Sequence, residues 1–268
     1  MSNKIVIENG RSEKNYWRDL WRFKELFYIL SWRDIKVKYK QTVLGIVWVI
    51  LRPLLTMLVF TFVFGKVAKL DDHSTVPYSI LVFAGLLPWQ FFSNALTECS
   101  NSLIGNERLI TKVYFPRLII PASSVITSFI DFLISIVILL ALFVYYGYMP
   151  PPRIFLMPIL WVMVFFTSFG PGLYLTALNV KYRDFRYLIP FIVQFGLFIS
   201  PVGYSSSKIP AEWQLLYHVN PIVGVIDGFR WCIVKDAPNP FLMYPFYISL
   251  GVTIILVWIS LLKYFLHY

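Results

Sequence analysis

The sequence contains a series of apolar runs, each about as long as a helix needs to cross a lipid bilayer. A spanning helix requires about 20 predominantly apolar residues, because an α-helix rises only ~1.5 Å per residue. Five runs reach this length and another is shorter. In chain order the runs cover residues 43–64, 77–97, 118–146, 154–178, 188–204 and 241–262. The chain is therefore predicted to be an all-α integral membrane protein with six transmembrane helices in a single domain, residues 1–268.

Composition supports this interpretation, because 58% of the 268 residues are hydrophobic and only 14% are charged. A water-soluble domain of this size needs more polar surface. The chain also carries 24 Lys and Arg against 14 Asp and Glu. Such an excess can reflect nucleic acid, anionic lipid or membrane topology, and the positions of the charges decide among them.

The basic residues are concentrated on one side of the predicted membrane. Ten of them lie in the first forty residues, and others follow the second, fourth and sixth runs, whereas the opposite side has six. Cytoplasmic loops retain positive charge, so both termini are predicted to be cytoplasmic, and no nucleic-acid partner is needed to explain the charge. The basic leader is too long for a signal peptide, and we expect the first span to remain in the mature protein.

Residues 17–40 form a different kind of segment. Leu20, Phe23, Phe27 and Leu30 recur at helical spacing, while charged residues fill another face. This pattern predicts an amphipathic helix lying in the membrane interface, with its Trp and basic residues near lipid headgroups. A soluble amphipathic helix packed on a partner would show the same pattern.

Residues 208–236 resemble neither a span nor an ordinary loop. Apolar patches alternate with Glu212, His218, Asp227 and Arg230, and Asn220-Pro221 divides the segment. Two short re-entrant helices on the outer side, before the last span, would explain this pattern. Their irregular backbone is tolerated at membrane depth only where protein or water surrounds it.

Several kinds of chemistry lack their sequence signature. No G-x-x-x-x-G-K-[ST] loop is present, so any ATP and its Mg²⁺ must be bound by another chain. The three His residues are far apart and no H-E-x-x-H occurs, so no metal site is predicted. G-x-S-x-G is missing, and we predict no catalytic residue. Cys99 and Cys232 fall on opposite predicted sides, which argues against a disulfide.

Four stretches occur in a characteristic order. They are SWRDIKVKYKQTVLGIVWVILRPLLTMLVFTFVFG (residues 31–65), GLLPW with FF (residues 85–92), KVYFP (residues 112–116) and YRD (residues 182–184). Together they resemble the ABC-2 type permeases that export O-antigen, capsule and teichoic acid polysaccharides. The resemblance implies a homodimer in a bacterial inner membrane, a separate ABC ATPase on the cytoplasmic face, and a lipid-linked polysaccharide as cargo.

Within this resemblance, Tyr39, Trp48 and Arg52 are candidates for the substrate pathway near the cytoplasmic entrance, and Trp89 is a candidate further along it. Aromatic faces suit glycans, although aromatic belts occur in any membrane protein. Arg52 lies inside the first run, where a central charge costs roughly 2.5–3.5 kcal/mol. It is expected to face a pore, a partner or a pyrophosphate, unless its side chain extends to the interface.

Two basic loops are candidates for contact with the ATPase. Glu107, Arg108 and Lys112 give the first loop both signs of charge, and a second loop contains the charged residues Arg183, Asp184 and Arg186. The resemblance favours coupling to ATP hydrolysis at these loops. The charges alone would also fit cytoplasmic loops that have no partner.

Asp131 is the acid deep in a predicted span. An intramembrane carboxylate indicates function by default, but it can also form a contact between helices or be protonated. An integral membrane glycosyl- or acyltransferase is the alternative function, and it would need a carboxylate pair or an acid near a His. A scaffold for a synthase complex also stays open.

Overall fold

The computed structural model describes residues 16–40, 43–69, 76–182 and 184–267, and all regular secondary structure within these ranges is helical. A π-helical stretch, Thr61–Val67, extends the third helix. Short 3-10 turns precede the seventh, ninth and eleventh helices. The α-helices are α1 (Tyr16–Arg22), α2 (Lys24–Lys40), α3 (Val43–Phe60), α4 (Tyr78–Gly105), α5 (Glu107–Lys112), α6 (Ile119–Tyr146), α7 (Met157–Lys181), α8 (Phe185–Ile199), α9 (Ala211–Tyr217), α10 (Pro221–Ile233) and α11 (Tyr244–His267).

Five helical segments in the described ranges are long and apolar enough to cross a membrane, so the chain is a multi-pass membrane protein. The fifth predicted span, residues 188–204, corresponds to α8, which has 15 residues. A helix of that length rises only about 22 Å, less than the ~30 Å hydrocarbon core. It ends at Ile199 because Pro201 disfavours a helical conformation at Ser200. The five long segments are Val47–Val67, Tyr78–Gly105, Ile119–Tyr146, Pro152–Lys181 and Tyr244–Lys263.

α4 is the central helix of the bundle. In its most apolar stretch 72% of the residues are buried, against 17% for the segment that contains α3. It packs on α6, α7 and α10. Gly172 of α7 permits a close approach to α4, since a Cβ atom there would come within 2.9 Å of the Cys99 side chain. Small residues at helix contacts allow this dense packing where the apolar environment supplies no hydrophobic driving force between helices.

The predicted amphipathic segment forms α1 and α2, which are separated by a turn at Phe23. Its apolar residues pack against the protein core, and Leu30 is buried. Trp21, Tyr28 and Trp32 are exposed on the other side. The helical period therefore reflects packing of α2 on the bundle, with the aromatic and basic residues left on the outer surface.

Residues 208–236 contain α9 and α10, which are divided at Asn220-Pro221. The Asn220 side chain caps α10 by accepting a hydrogen bond from the Ile222 amide, and Pro221 takes the first helical position, where no amide hydrogen is needed. α10 is almost completely buried against α4, α7 and α11, whereas most of α9 is exposed. The two short helices thus differ sharply in their surroundings.

Candidate functional site

Asp131 lies in the middle of α6, but it is paired by residues from other helices. Its carboxylate accepts hydrogen bonds from the Lys38 ammonium at 2.8 Å, from the Tyr39 hydroxyl, and from the Asn94 amide at 3.4 Å. Its side chain is only 12% exposed. An ion pair with several hydrogen bonds compensates much of the cost of burying a carboxylate.

Glu98 of α4 brings a second carboxylate to the same place, 3.9 Å from the Lys38 ammonium. We call Lys38, Tyr39, Asn94, Glu98 and Asp131 the Lys38 cluster. Burial, together with the hydrogen bond to Asp131 and its negative charge, raises the pKa of Tyr39. The Tyr39 hydroxyl therefore remains protonated and acts as a donor to Asp131.

Sequence reasoning identified Asp131 but missed its partner, because no basic residue lies on the same helix. Lys38 is 93 positions away in the sequence. The available signal was electrostatic: a carboxylate within a span needs a cation, and the basic leader supplies several. Tyr39, predicted near the substrate pathway, has its hydroxyl engaged by Asp131.

Trp48 and Arg52 lie on the exposed side of α3. Arg52 forms no ion pair with any residue in the described part of the chain. α3 is helical on both sides of Arg52, and the Thr56 hydroxyl donates a hydrogen bond to the Arg52 carbonyl. An exposed guanidinium on an apolar helix has its donors free for a ligand or a partner.

Trp89 has a different environment from the other pathway candidates, because it is buried within the chain. Its ring contacts Gly196 of α8, where a Cβ atom would come within 2.7 Å, and it packs beside Phe92 with ring centroids 5.4 Å apart. Trp89 thus joins α4 to α8.

α3 and α8 contact each other through one aromatic pair, and each helix exposes apolar side chains. The rings of Phe60 and Phe198 pack edge to face with centroids 6.4 Å apart, which joins the two helices. Further apolar side chains are exposed along each helix, and we call these two sets together the α3/α8 face. It comprises Val47, Trp48, Ile50, Leu51, Leu55, Leu58 and Val59 from α3, and Tyr187, Leu188, Phe191, Ile192, Phe195, Phe198 and Ile199 from α8.

The first predicted coupling loop contains the short helix α5, and Glu107, Arg108 and Lys112 are all exposed on it. Asn106 immediately precedes α5, and its side-chain oxygen accepts a hydrogen bond from Arg33 of α2 at 2.8 Å. In the second loop, Asp184 and Arg186 are exposed at the start of α8. Arg183 lies outside the described residues.

The sequence model of the ABC-2 type transporter family matches residues 25–234, which is most of the chain. This chain belongs to the ABC-2 type transporter family. Among curated proteins it is 28% identical over 216 residues to the O-antigen export system permease protein RfbA of Klebsiella pneumoniae, covering 80% of this chain and 82% of that one.

Two other relatives match the chain over a similar length. The RfbA permease of Myxococcus xanthus is 29% identical over 215 residues, with 80% of this chain and 82% of that one covered. The polysialic acid transport protein KpsM of Escherichia coli is 22% identical over 226 residues, covering 83% and 82%. These relatives are transport proteins, which supports a permease over the glycosyl- or acyltransferase alternative.

The ABC-2 chain also contains a buried cation that sequence reasoning placed in the re-entrant segment without assigning a role. Arg230 of α10 donates hydrogen bonds to the carbonyls of Val202, at 2.9 Å, and Tyr204. Burial lowers the pKa of Arg230, while the charge of Asp227 opposes this shift. A guanidinium starts from so high a pKa that it remains charged in a protein.

Proposed function

We propose that this chain is the membrane-spanning subunit of an ATP-driven exporter that moves a lipid-linked, O-antigen-like polysaccharide across the bacterial inner membrane. The observation that carries the proposal is the similarity to O-antigen export permeases, which extends over 80% of the chain. The exposed Arg52 on α3 offers a binding group for the phosphates of a lipid carrier, because a planar guanidinium binds phosphate through paired hydrogen bonds.

Both termini are proposed to lie in the cytoplasm, together with α5 and the loop before α8. The excess of Lys and Arg on these segments supports this orientation. Twenty residues separate Tyr78, at the start of α4, from Glu98, a rise of about 30 Å that matches the hydrocarbon thickness. If Tyr78 lies at the outer boundary, the Lys38 cluster lies at the inner one. This placement is consistent with α2 in the cytoplasmic interface.

A second copy of the chain is proposed to pack on the α3/α8 face. α8 is shorter than the hydrocarbon layer is thick, so the non-helical residues after it must complete the crossing, and such backbone at membrane depth is covered by protein and not by lipid. One copy has too few helices to enclose a path for a hydrated sugar chain, whereas a symmetric pair provides twice as many helices around the path. Trp48 and Arg52 would then lie at the boundary between the copies, where the glycan passes.

ATP and Mg²⁺ are proposed to bind a separate ABC ATPase, since the sequence lacks a phosphate-binding loop. The exposed charges of α5 support docking of that ATPase from the cytoplasm, with Arg183, Asp184 and Arg186 as the second contact. Because α5 directly follows α4, the central helix of the bundle, movement of the docked ATPase would be transmitted into the spans.

Deletion of the gene in its own organism, with plasmid complementation, tests the proposal. Loss of an exporter should remove the glycan from the cell surface while the finished lipid-linked polymer accumulates inside. Loss of a transferase would instead leave the polymer unmade or unmodified, and that result would contradict the proposal. An ATPase should copurify with the tagged permease from solubilised membranes.

A further inference from the structure

Lys38 lies between two carboxylates that belong to different helices. Its ammonium is 2.8 Å from the Asp131 carboxylate on α6 and 3.9 Å from the Glu98 carboxylate on α4. Both distances fall within the about 4 Å at which ion pairs form, and a movement of about 1 Å would transfer the closer contact from Asp131 to Glu98. The two acids differ in environment: the Asp131 side chain is 12% exposed and that of Glu98 is 47% exposed.

We propose that Lys38 is a positioning residue that exchanges between Asp131 and Glu98, and that this exchange gives α2 two docked positions on the bundle. This inference rests on the proposed function, since it assigns the exchange to the transport cycle. A discrete element with two arrangements is the kind of structure that carries coupling between distant sites.

Both positions leave the charged groups paired or hydrated. When Lys38 bonds to Glu98, the buried Asp131 carboxylate keeps the Tyr39 hydroxyl and the Asn94 amide as donors. When Lys38 bonds to Asp131, the half-exposed Glu98 carboxylate is accessible to water. Neither position leaves a buried charge without a partner, which would be strongly unfavourable. A small difference in free energy is therefore enough to select one position.

The same helix also contacts the first coupling loop. Arg33, five residues before Lys38, donates a hydrogen bond to Asn106, the residue before α5. α2 therefore contacts the residue that precedes α5 through Arg33, and α4 and α6 through Lys38, while its C-terminal end precedes α3 in the chain. A shift of α5 on ATPase movement would act on Arg33, move α2 and favour one of the two Lys38 ion pairs.

Chemical labelling of Lys38 tests the exchange in the intact permease alone, reconstituted in lipid nanodiscs. An amine-reactive ester is applied briefly, and the labelled Lys38 and Lys36 peptides are quantified by mass spectrometry; the exposed Lys36 is the internal reference. In Glu98→Gln, Lys38 is confined to the buried Asp131, and its labelling should slow several-fold relative to Lys36. Without exchange, removal of a nearby negative charge would leave labelling unchanged or faster, and either result overturns the proposal. Glu98→Asp, which keeps the charge but shortens the side chain, should slow labelling less.

Transport by the reconstituted complex tests the link to the cycle. Glu98→Gln should keep the melting temperature of the wild type but export at least about fivefold less glycan per ATP hydrolysed, a typical coupling effect. Glu25→Gln removes an exposed acid from α2, the helix that contains Lys38, and should behave like the wild type. A lower melting temperature with an unchanged glycan-to-ATP ratio would show a merely structural role and refute the proposal. Failure of the wild-type complex to export any glycan would instead refute the proposed function and leave the labelling result standing.

Discussion

The guanidinium of Arg230 lies 2.9 Å from the carbonyl oxygen of Val202 and also donates a hydrogen bond to the carbonyl of Tyr204. The hydroxyl of Tyr78 donates to the carbonyl of Gly203, which lies between them. Three successive carbonyls of the non-helical turn after α8 are thus paired by side chains from α4 and α10. This pairing explains how an irregular backbone is accommodated inside a membrane protein, where water is scarce.

Replacing Arg230 by Met should lower the melting temperature of the purified permease, because it leaves two buried carbonyls without donors. Each unpaired buried group costs about 1–3 kcal/mol. The melting temperature of Arg230→Lys should lie between those of Arg230→Met and the wild type, since one ammonium cannot reproduce the planar geometry of the guanidinium. Arg22→Met, at an exposed position, is the control. Equal melting temperatures for Arg230→Met and the control would contradict the role of Arg230 in holding the turn.

Arg52→Lys should insert normally into the membrane yet export poorly, if the guanidinium binds a phosphate of the lipid carrier through two parallel hydrogen bonds. Arg52→Leu should export less still, while inserting slightly more easily because a charge has been removed from the span. Surface glycan is measured together with the amount of permease in the membrane. Near-normal export by Arg52→Lys would show that Arg52 serves only as a charged anchor whose side chain reaches the interface.

Exchanging the charges of the first coupling loop, with Glu107→Arg and Arg108→Glu together, should lower the substrate-stimulated ATPase activity of the complex. Both side chains are exposed, so the permease should insert and fold as before. Glu212→Lys changes an exposed acid on α9, outside both predicted coupling loops, and serves as the control. Unchanged export by the double variant would remove this loop from the coupling mechanism.

Cys232 should resist maleimide in the folded permease. Burial raises the pKa of its thiol to about 11, and only the thiolate is a strong nucleophile. At any pH well below that value the thiol is protonated, so the rate at which maleimide labels Cys232 should stay low from pH 7 to pH 8.5. Ser207→Cys, at an exposed position, should label quickly in the same preparation, and Cys232 should label after denaturation. Fast labelling of native Cys232 would contradict its burial against the core.

Reporter fusions after Lys40, Asn106 and Asp184 should show cytoplasmic activity, and fusions after Pro151 and Ser206 should show activity on the outer side. The physical reason is the distribution of Lys and Arg among the connecting segments. Results opposite to these expectations at two or more positions would refute the six-span topology. α8 is the shortest of the six proposed spans. A cytoplasmic reporter after Ser206 alone would show that α8 does not cross.

The sequence by itself determined the features that depend on neighbouring residues. Runs of apolar residues set the position of the five long helical segments, and the 3.6-residue period of Leu20, Phe23 and Phe27 marked the side of the leader that packs on the core. Asn220-Pro221 marked the start of α10, because Asn at the capping position followed by Pro at the first helical position is a local start signal for a helix. These signals are local and need no knowledge of the fold.

Only the tertiary structure decided which helix faces meet. Hydropathy cannot distinguish a surface that contacts lipid from one that contacts protein, because both are apolar in a membrane protein. It therefore gave no sign that Trp89 is buried against Gly196 whereas Trp48 is exposed on α3. Pairing of Asp131 with Lys38 likewise joins residues 93 positions apart. Because burying an unpaired charge is unfavourable, a charge in a span requires a partner. The packing of α2 on α6 decides which cation lies close enough to be that partner.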